Sequence, residues 1–417
     1  MAILLANSLL HCSYVSAQMC SGAWSIFSWV PYQQSLFPDT NGRYFRYRYQ
    51  LDPEQPALAF RIQGKYPHAR YMNFNTYNQR TMDPTASMAD IHIVPDLGSA
   101  NPFLPGASRT ARPRQYTVWA WPQGVTPPHS LGNVLPLPRM SVKELPPLQE
   151  IWYRIYVPDQ GSGDMGGESL PVIEAFDAAT LQPAECPKLF GQIPEAWKAL
   201  AEHPPLPLPS ASLAFVRPRP HALYSNEDNL YLSSYVFPGQ AAVVHFRPPT
   251  SPQTYHDVLV MPSQKQVRYW TLCLSGQDTF TEACVLDEKA LRHEDGTVTI
   301  VYGPQALAPQ LALRNINLIP TSKFILPVML YRHLLPAVQF EQSMRLVPLW
   351  PAQKHDPFFG HSRAMEAYHF MGEYAPTGRD CDPAQLTQDV ESHSMTLCGI
   401  TIPNSPNSNA AGHRFTE

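Results

Sequence analysis

Four side chains within one stretch of this chain could do acid–base or anion chemistry: His68, Arg70, Asp90 and His92. A histidine can take or give a proton near neutral pH, and an arginine offers a planar fork of N–H donors to an anion. Gathered in one cleft, the four would make a hydrolase- or lyase-like site, with histidine as acid or base and Arg70 as anion clamp. Asp90, His92 and Asp96 form a second option, a mixed nitrogen and oxygen ligand set for a metal. A structural alternative competes with both. Arg70 and Arg268 could each pair with the acidic loop of its own half, through Asp39 and Asp228 respectively. His68, directly after Pro67, could equally be a hydrogen-bonded turn residue.

These residues must be positioned by strands. Leu58, Phe60 and Ile62 alternate with Ala59, Arg61 and Gln63, the period-2 pattern of a half-buried strand. A second strand is expected from about Ala69 to Tyr77. One of its faces carries Arg70, Met72, Phe74 and Thr76; the other carries Tyr71, Asn73, Asn75 and Tyr77. That second face is a ladder of phenols and amides able to hydrogen-bond a ligand or a neighbouring loop. Tyr71, Asn73, Asn75, Asp39, Asp228 and Arg268 are therefore binding candidates. Asp90 and His92 are expected on a third strand, pointing opposite to Ile91 and Ile93. Pro95-Asp96-Leu97-Gly98 is a turn by its chemistry.

The pattern returns later in the chain. Phe37-Pro38-Asp39-Thr40 with Tyr44, then the strand at Phe60, then His68-Ala69-Arg70-Tyr71, then Tyr116-Thr117-Val118 make one copy. Asn226-Glu227-Asp228-Asn229 with Tyr231, then Val243-Val244, then Gln266-Val267-Arg268-Tyr269, then Val298-Thr299-Ile300 make the other. Two β-sandwich domains of similar plan follow from this duplication.

Composition agrees with a β-rich chain. Across 417 residues there are 45 prolines and 21 glycines, which suit turns and strand edges and forbid long helices. Only 15% of residues are charged and the formal net charge is −4, which gives no basic footprint for nucleic acid. The first 17 residues, MAILLANSLLHCSYVSA, read as an export signal with small residues before Gln18, although no Lys or Arg precedes the apolar run. Removing Cys12 with that signal leaves Cys20, Cys186, Cys273, Cys284, Cys381 and Cys398, an even set suited to disulfides outside the cytosol. Cys273 with Cys284 could staple a hairpin, Cys381 with Cys398 could close a tail loop, and Cys20 would be left with Cys186. The connectivity stays open, and six free thiols in a cytosolic chain are the alternative.

The expected layout is a signal at 1–17, a first β-sandwich at 18–165, a Gly/Pro-rich connection with one short helix at 166–220, a second sandwich at 221–350 and an irregular tail at 351–417. The short helix is PEAWKALAEH, 194–203. The apolar run 323–337 is too short for a membrane span and reads as a helical turn or two broken by Pro327. The loop 159–167, rich in Gly and Asp, could take calcium but lacks EF-hand spacing, so calcium is not predicted and the cofactor stays unknown. The basic run RTARPR, 109–114, reads as a solvated loop.

The chain carries no GxSxG, HExxH or P-loop signature. FPDT, GKYPHARYMNFNTYN, DLGSANPF, IWYRIYVPD with its glycine loop, the NEDN box, and QVRYWTLC followed by a second Cys resemble an uncharacterised family of secreted bacterial two-domain β-sandwich proteins. The likeness spans about 37–340 and departs at Tyr44-Phe45, where the family usually has Tyr-Trp. It implies fold, export and a Cys273/Cys284 pair, and supplies no activity. The expectation is a mostly β protein of two tandem antiparallel, jelly-roll-like sandwiches, exported to the periplasm, cell surface or medium. It would be a binding or structural protein holding an extracellular protein or a glycan, with the hydrolase or lyase as the alternative.

Overall fold

Alternating side chains along the strands sort the chain into sheets whose apolar faces meet. The computed structural model describes residues 19–28, 36–50, 57–78, 82–138, 148–189, 213–218, 224–256, 258–263, 265–276, 279–321, 324–350 and 366–403. The export signal, the helix expected at 194–203, most of the proline-rich connection and the extreme C-terminus lie outside those residues.

The strands of the first half are β1 Ser25–Ser28, β2 Gly42–Gln50, β3 Leu58–Lys65, β4 Ala69–Tyr77, β5 Pro84–Ala89, β6 Gln115–Pro122, β7 Val134–Leu137, β8 Leu148–Pro158 and β9 Val172–Asp177. They form one sheet ordered β1-β2-β8-β4-β5 and another ordered β7-β6-β3-β9. Between them lies one core, with Tyr47, Phe74 and Tyr153 from the first sheet meeting Phe60, Val118 and Ile173 from the second.

After the short β10 Arg217–Pro218, the second half adds β11 Asn229–Tyr235, β12 Ala241–Phe246, β13 Tyr269–Gly276, β14 Thr281–Leu286, β15 Val298–Gly303, β16 Asn317–Pro320, β17 Pro327–Leu334, β18 Leu349–Trp350 and β19 Thr377–Cys381. The orders are β11-β17-β13-β14 and β16-β15-β12-β19. Trp270, Leu272 and Tyr331 face Val244, Phe246 and Ile300 across a second core. The architecture is thus mostly β, two antiparallel sandwiches with a few short helices.

The two halves follow one plan strand for strand. β2, β8, β4 and β5 correspond to β11, β17, β13 and β14, and both β6–β7 and β15–β16 are parallel pairs within otherwise antiparallel sheets. Small polar devices repeat as well. The Asn133 amide bonds the Val94 backbone and the Thr117 carbonyl, as the Asn317 amide bonds the Leu291 backbone and the Thr299 carbonyl. The Thr117 hydroxyl stands between Gln63 and Asp96, and the Thr299 hydroxyl between His245 and His293.

Three expectations are corrected. Asp90 and His92 sit on a 3-10 turn, Asp90–His92, because β5 stops at Ala89. The apolar run around Pro327 is a strand, β17, not helical turns; both its faces are buried, one in the core and one against the first half, so it shows no alternation. The segment read as an irregular tail is ordered from 366 to 403. It supplies β19, the edge strand beside β12, and the helix Pro383–Glu391, whose Asp382 side chain accepts from the Ala384 N–H. Leu386 and Val390 of that helix cover Val243 and Val301 on the back of the sheet.

Candidate functional site

The phenol and amide ladder of β4 is fully buried, and what buries it is the other half of the chain. The outer face of the β2-β8-β4 sheet packs on the outer face of the β11-β17-β13 sheet, with Tyr71, Tyr77, Trp152, Tyr156, Tyr224, Tyr269 and Leu334 in one cluster. Across this seam the acidic loops are exchanged. The Tyr71 hydroxyl donates to Asp228 Oδ2 at 2.6 Å and accepts from the Asn226 amide at 3.2 Å. Its counterpart, the Tyr269 hydroxyl, donates to Asp39 Oδ2 at 2.9 Å and meets the Asn41 amide at 3.4 Å. Each loop thus presents one Asp and one Asn, in opposite order, to the tyrosine of the other half. Asn73 adds amide bonds to Asn226 and Asp228 at 2.9 and 3.0 Å, while Asn75 accepts from both Asn73 and Arg154.

The arginines cross in the same way. Arg70, fully buried, gives Nη1 to both oxygens of Asp287 at 2.9 and 2.6 Å, Nη2 to Glu288, and Nε to the Thr254 hydroxyl. Arg268 gives Nη1 to Asp90 Oδ1 at 3.3 Å and to the Arg70 carbonyl at 3.1 Å. The pairing of Arg70 with Asp39 and of Arg268 with Asp228 is therefore corrected: each arginine takes a carboxylate from the opposite half. Asp90 and Asp287 occupy matching places after β5 and β14. Burial raises both above the ordinary carboxylate range, Asp90 to about 6, against the opposing pull of Arg268 on Asp90 and Arg70 on Asp287.

Two further arginines complete the set, and the sequence reading missed them. Arg154 on β8 donates to the Tyr224 carbonyl at 2.6 Å, and Arg332 on β17 donates to the Phe37 carbonyl at 2.6 Å. Phe37 and Tyr224 both hold positive φ, 51° and 53°, as do Val157 at 50° near the end of β8 and Leu335 at 44° just past β17. Such backbone is uncommon for non-glycine residues and persists only when its surroundings enforce it. The Val157 and Leu335 N–H groups bond the Asn41 and Asp228 carbonyls at 3.0 and 2.9 Å. The matching Tyr-Arg pairs in IWYRIYV and VMLYRHL were the signal that could have found Arg154 and Arg332.

The four acid–base candidates do not share a pocket. Arg70 and Asp90 are consumed in the seam, and His92 is exposed on its turn. His68 is half-buried with the Arg114 guanidinium 2.7 Å from its Nε2. Burial, and then the charge of Arg114, lowers His68 to about 4, so it is neutral at pH 7. Asp96 accepts from the Thr117 hydroxyl at 3.2 Å on the first sandwich, and does not converge with Asp90 and His92 as a ligand set. In the glycine loop, Asp159 pairs with Arg109 and Asp164 accepts from Arg43 at 2.7 Å, so arginines hold the carboxylates that calcium would need. Among the described residues one metal-type group draws together, Asp39 with Cys273 and Cys284, but those two sulfurs are bonded to each other. The remaining described cysteines pair as Cys20–Cys186 and Cys381–Cys398.

No family model matches the chain, and no curated protein matches it. Among solved structures it is similar to an uncharacterised protein from Burkholderia cenocepacia, at 15% identity over 87% of this chain and 83% of that one, with a TM-score of 0.48. It is also similar to a protein from Vibrio parahaemolyticus, at 10% identity over 83% of this chain and 90% of that one, with a TM-score of 0.39.

Proposed function

We propose that this chain is an exported binding protein of the cell exterior, noncatalytic, built as a rigid pair of sandwiches. The observation that carries this reading is how the reactive side chains are used. Arg70, Asp90, Asp287, Asp228 and Tyr71 are spent on one another across the seam. Three cysteine pairs at bonding distance support export, since such bonds persist in oxidising compartments. No described helix is long and apolar enough to cross a membrane. The resemblance to a secreted bacterial family points the same way.

The test is an intact mass of the protein recovered from the native host's medium and envelope, taken before and after reduction. Cleavage before Gln18 and a gain of six hydrogens on reduction are expected. An uncleaved chain retained in the cytosol with free thiols would overturn the export reading.

A further inference from the structure

We propose that the second half carries a binding site for a neutral, hydroxyl-rich ligand, a saccharide, in the groove floored by Phe340 and Tyr374 and walled by Gln266, Gln339 and Gln342. This rests on the binding-protein reading above and names its site and ligand class.

The duplication points to this groove. In the first half the Asp159 N–H bonds the His68 carbonyl at 2.9 Å, and in the second the Ala337 N–H bonds the Gln266 carbonyl at 2.8 Å, so the two corners correspond. In the first half the corner is closed. The Gly166 carbonyl accepts from the His68 N–H at 2.8 Å, and a Cβ on Gly166 would lie 2.7 Å from Pro67. Arg114 then lies against the His68 ring. In the second half the same corner is a groove of about 440 Å³, within the range of small-molecule sites. The Gln266 N–H there bonds the Thr250 hydroxyl at 3.2 Å instead of a glycine loop. Two copies that share their seam tyrosines, arginines and exchanged acidic loops diverge here, so the fold does not require the opening.

The lining selects the ligand. Phe340 and Tyr374 meet edge to face, with centroids 5.1 Å apart, and Tyr374 is held by the Gln266 amide at 3.1 Å. Aromatic rings offer an apolar surface to the C–H face of a sugar, and glutamine amides offer a donor and an acceptor together to neighbouring hydroxyls. Gln339 and Gln342 are exposed on the wall and available for this. One cation, Lys265, and one anion, Glu341, also line the groove and balance, which favours a neutral ligand over a phosphate or a polycation.

The test uses the full-length processed protein and saturation-transfer NMR with neutral disaccharides (cellobiose, maltose and N,N′-diacetylchitobiose) at millimolar concentration. Saturable binding of at least one is expected, weakened at least tenfold in Q339A/Q342A, two exposed substitutions that leave the seam intact. R43A, on the first half, serves as the unaffected control. Binding of none of the three, or binding equal in Q339A/Q342A, would overturn the proposal, as would binding of inorganic phosphate alone. A cleaved, three-disulfide protein that binds no saccharide would sink this site while leaving the export reading standing.

Discussion

Arg70 is the side chain whose loss should be felt furthest. It is buried with two carboxylates, Asp287 and Glu288, and removing it leaves both without their cation. Breaking a buried pair from one side costs about 3–5 kcal/mol, more than the pair is worth against a well-packed apolar replacement. Arg70→Met should therefore lower the stability measured by urea unfolding by about that much, and adding Asp287→Asn should recover part of it. Full stability in Arg70→Met would mean the carboxylates find water instead. His333 is a second residue with a readable cost. It lies in the core beside Tyr331, with neither ring nitrogen hydrogen-bonded, and burial lowers it to about 3. Its folded pKa is below the unfolded value of about 6.5, so its stability contribution is present above that pH and lost as pH falls toward about 3. The stability of wild type minus His333→Phe should fall by up to about 1.4 kcal/mol per pH unit in that window. The difference cancels the opposite trend from Asp90, whose raised pKa favours the folded state at low pH and loses that contribution as pH rises through about 6. A flat difference would place the proton elsewhere.

At the scale of elements, the β13–β14 hairpin should be the most sensitive to its disulfide. Cys273 and Cys284 face each other directly across the pair, and the Cys273 sulfur also accepts from Arg332 at 2.8 Å. Closing so short a loop contributes about 3 kcal/mol in the chain-entropy model, and Cys273→Ala with Cys284→Ala should cost at least that. Thermal unfolding of this double variant beside Cys381→Ala with Cys398→Ala measures it. An equal loss from both pairs would deny the hairpin any special role at the seam. The hairpin also shows what a sequence can reveal. β3 and β6 were legible because local alternation marks a strand with one face in a core, β4 because its buried phenols and amides alternate with Met72 and Phe74, and the duplication because the Arg-Tyr and acidic boxes recur in order. β17 was not, since Met329 and Leu330 are buried on opposite faces and the run has no period. The partners of Arg70 and Arg268 were not legible either. Asp287 is 217 residues from Arg70, and no local spacing encodes a pairing made between halves. Only the alignment of Asp90 with Asp287 in the two copies carried that information.

For the whole molecule, the exchange of loops makes each half a condition for the other. The Asp39 and Asp228 loops are ordered by tyrosines and arginines from across the seam, and the strained Phe37 and Tyr224 backbones are gripped there by Arg332 and Arg154. Two domains joined only by a linker would unfold independently, but here the unfolding of one strips the other of buried hydrogen-bond partners. Calorimetry of the wild type should therefore show one transition, coincident by tryptophan fluorescence and circular dichroism. Reversing both crossed pairs, with Arg70→Glu and Arg268→Glu, sets like charges against Asp287, Glu288 and Asp90 and should split the unfolding in two. If that variant does not accumulate, the milder Tyr71→Phe with Tyr269→Phe removes one charge-assisted bond from each side, about 1.5–3 kcal/mol apiece, and should separate the transitions without reversing any charge. A single transition in this pair, shifted down but unbroken, would assign the coupling to the apolar cluster of Tyr156, Trp152 and Leu334 rather than to the exchanged loops.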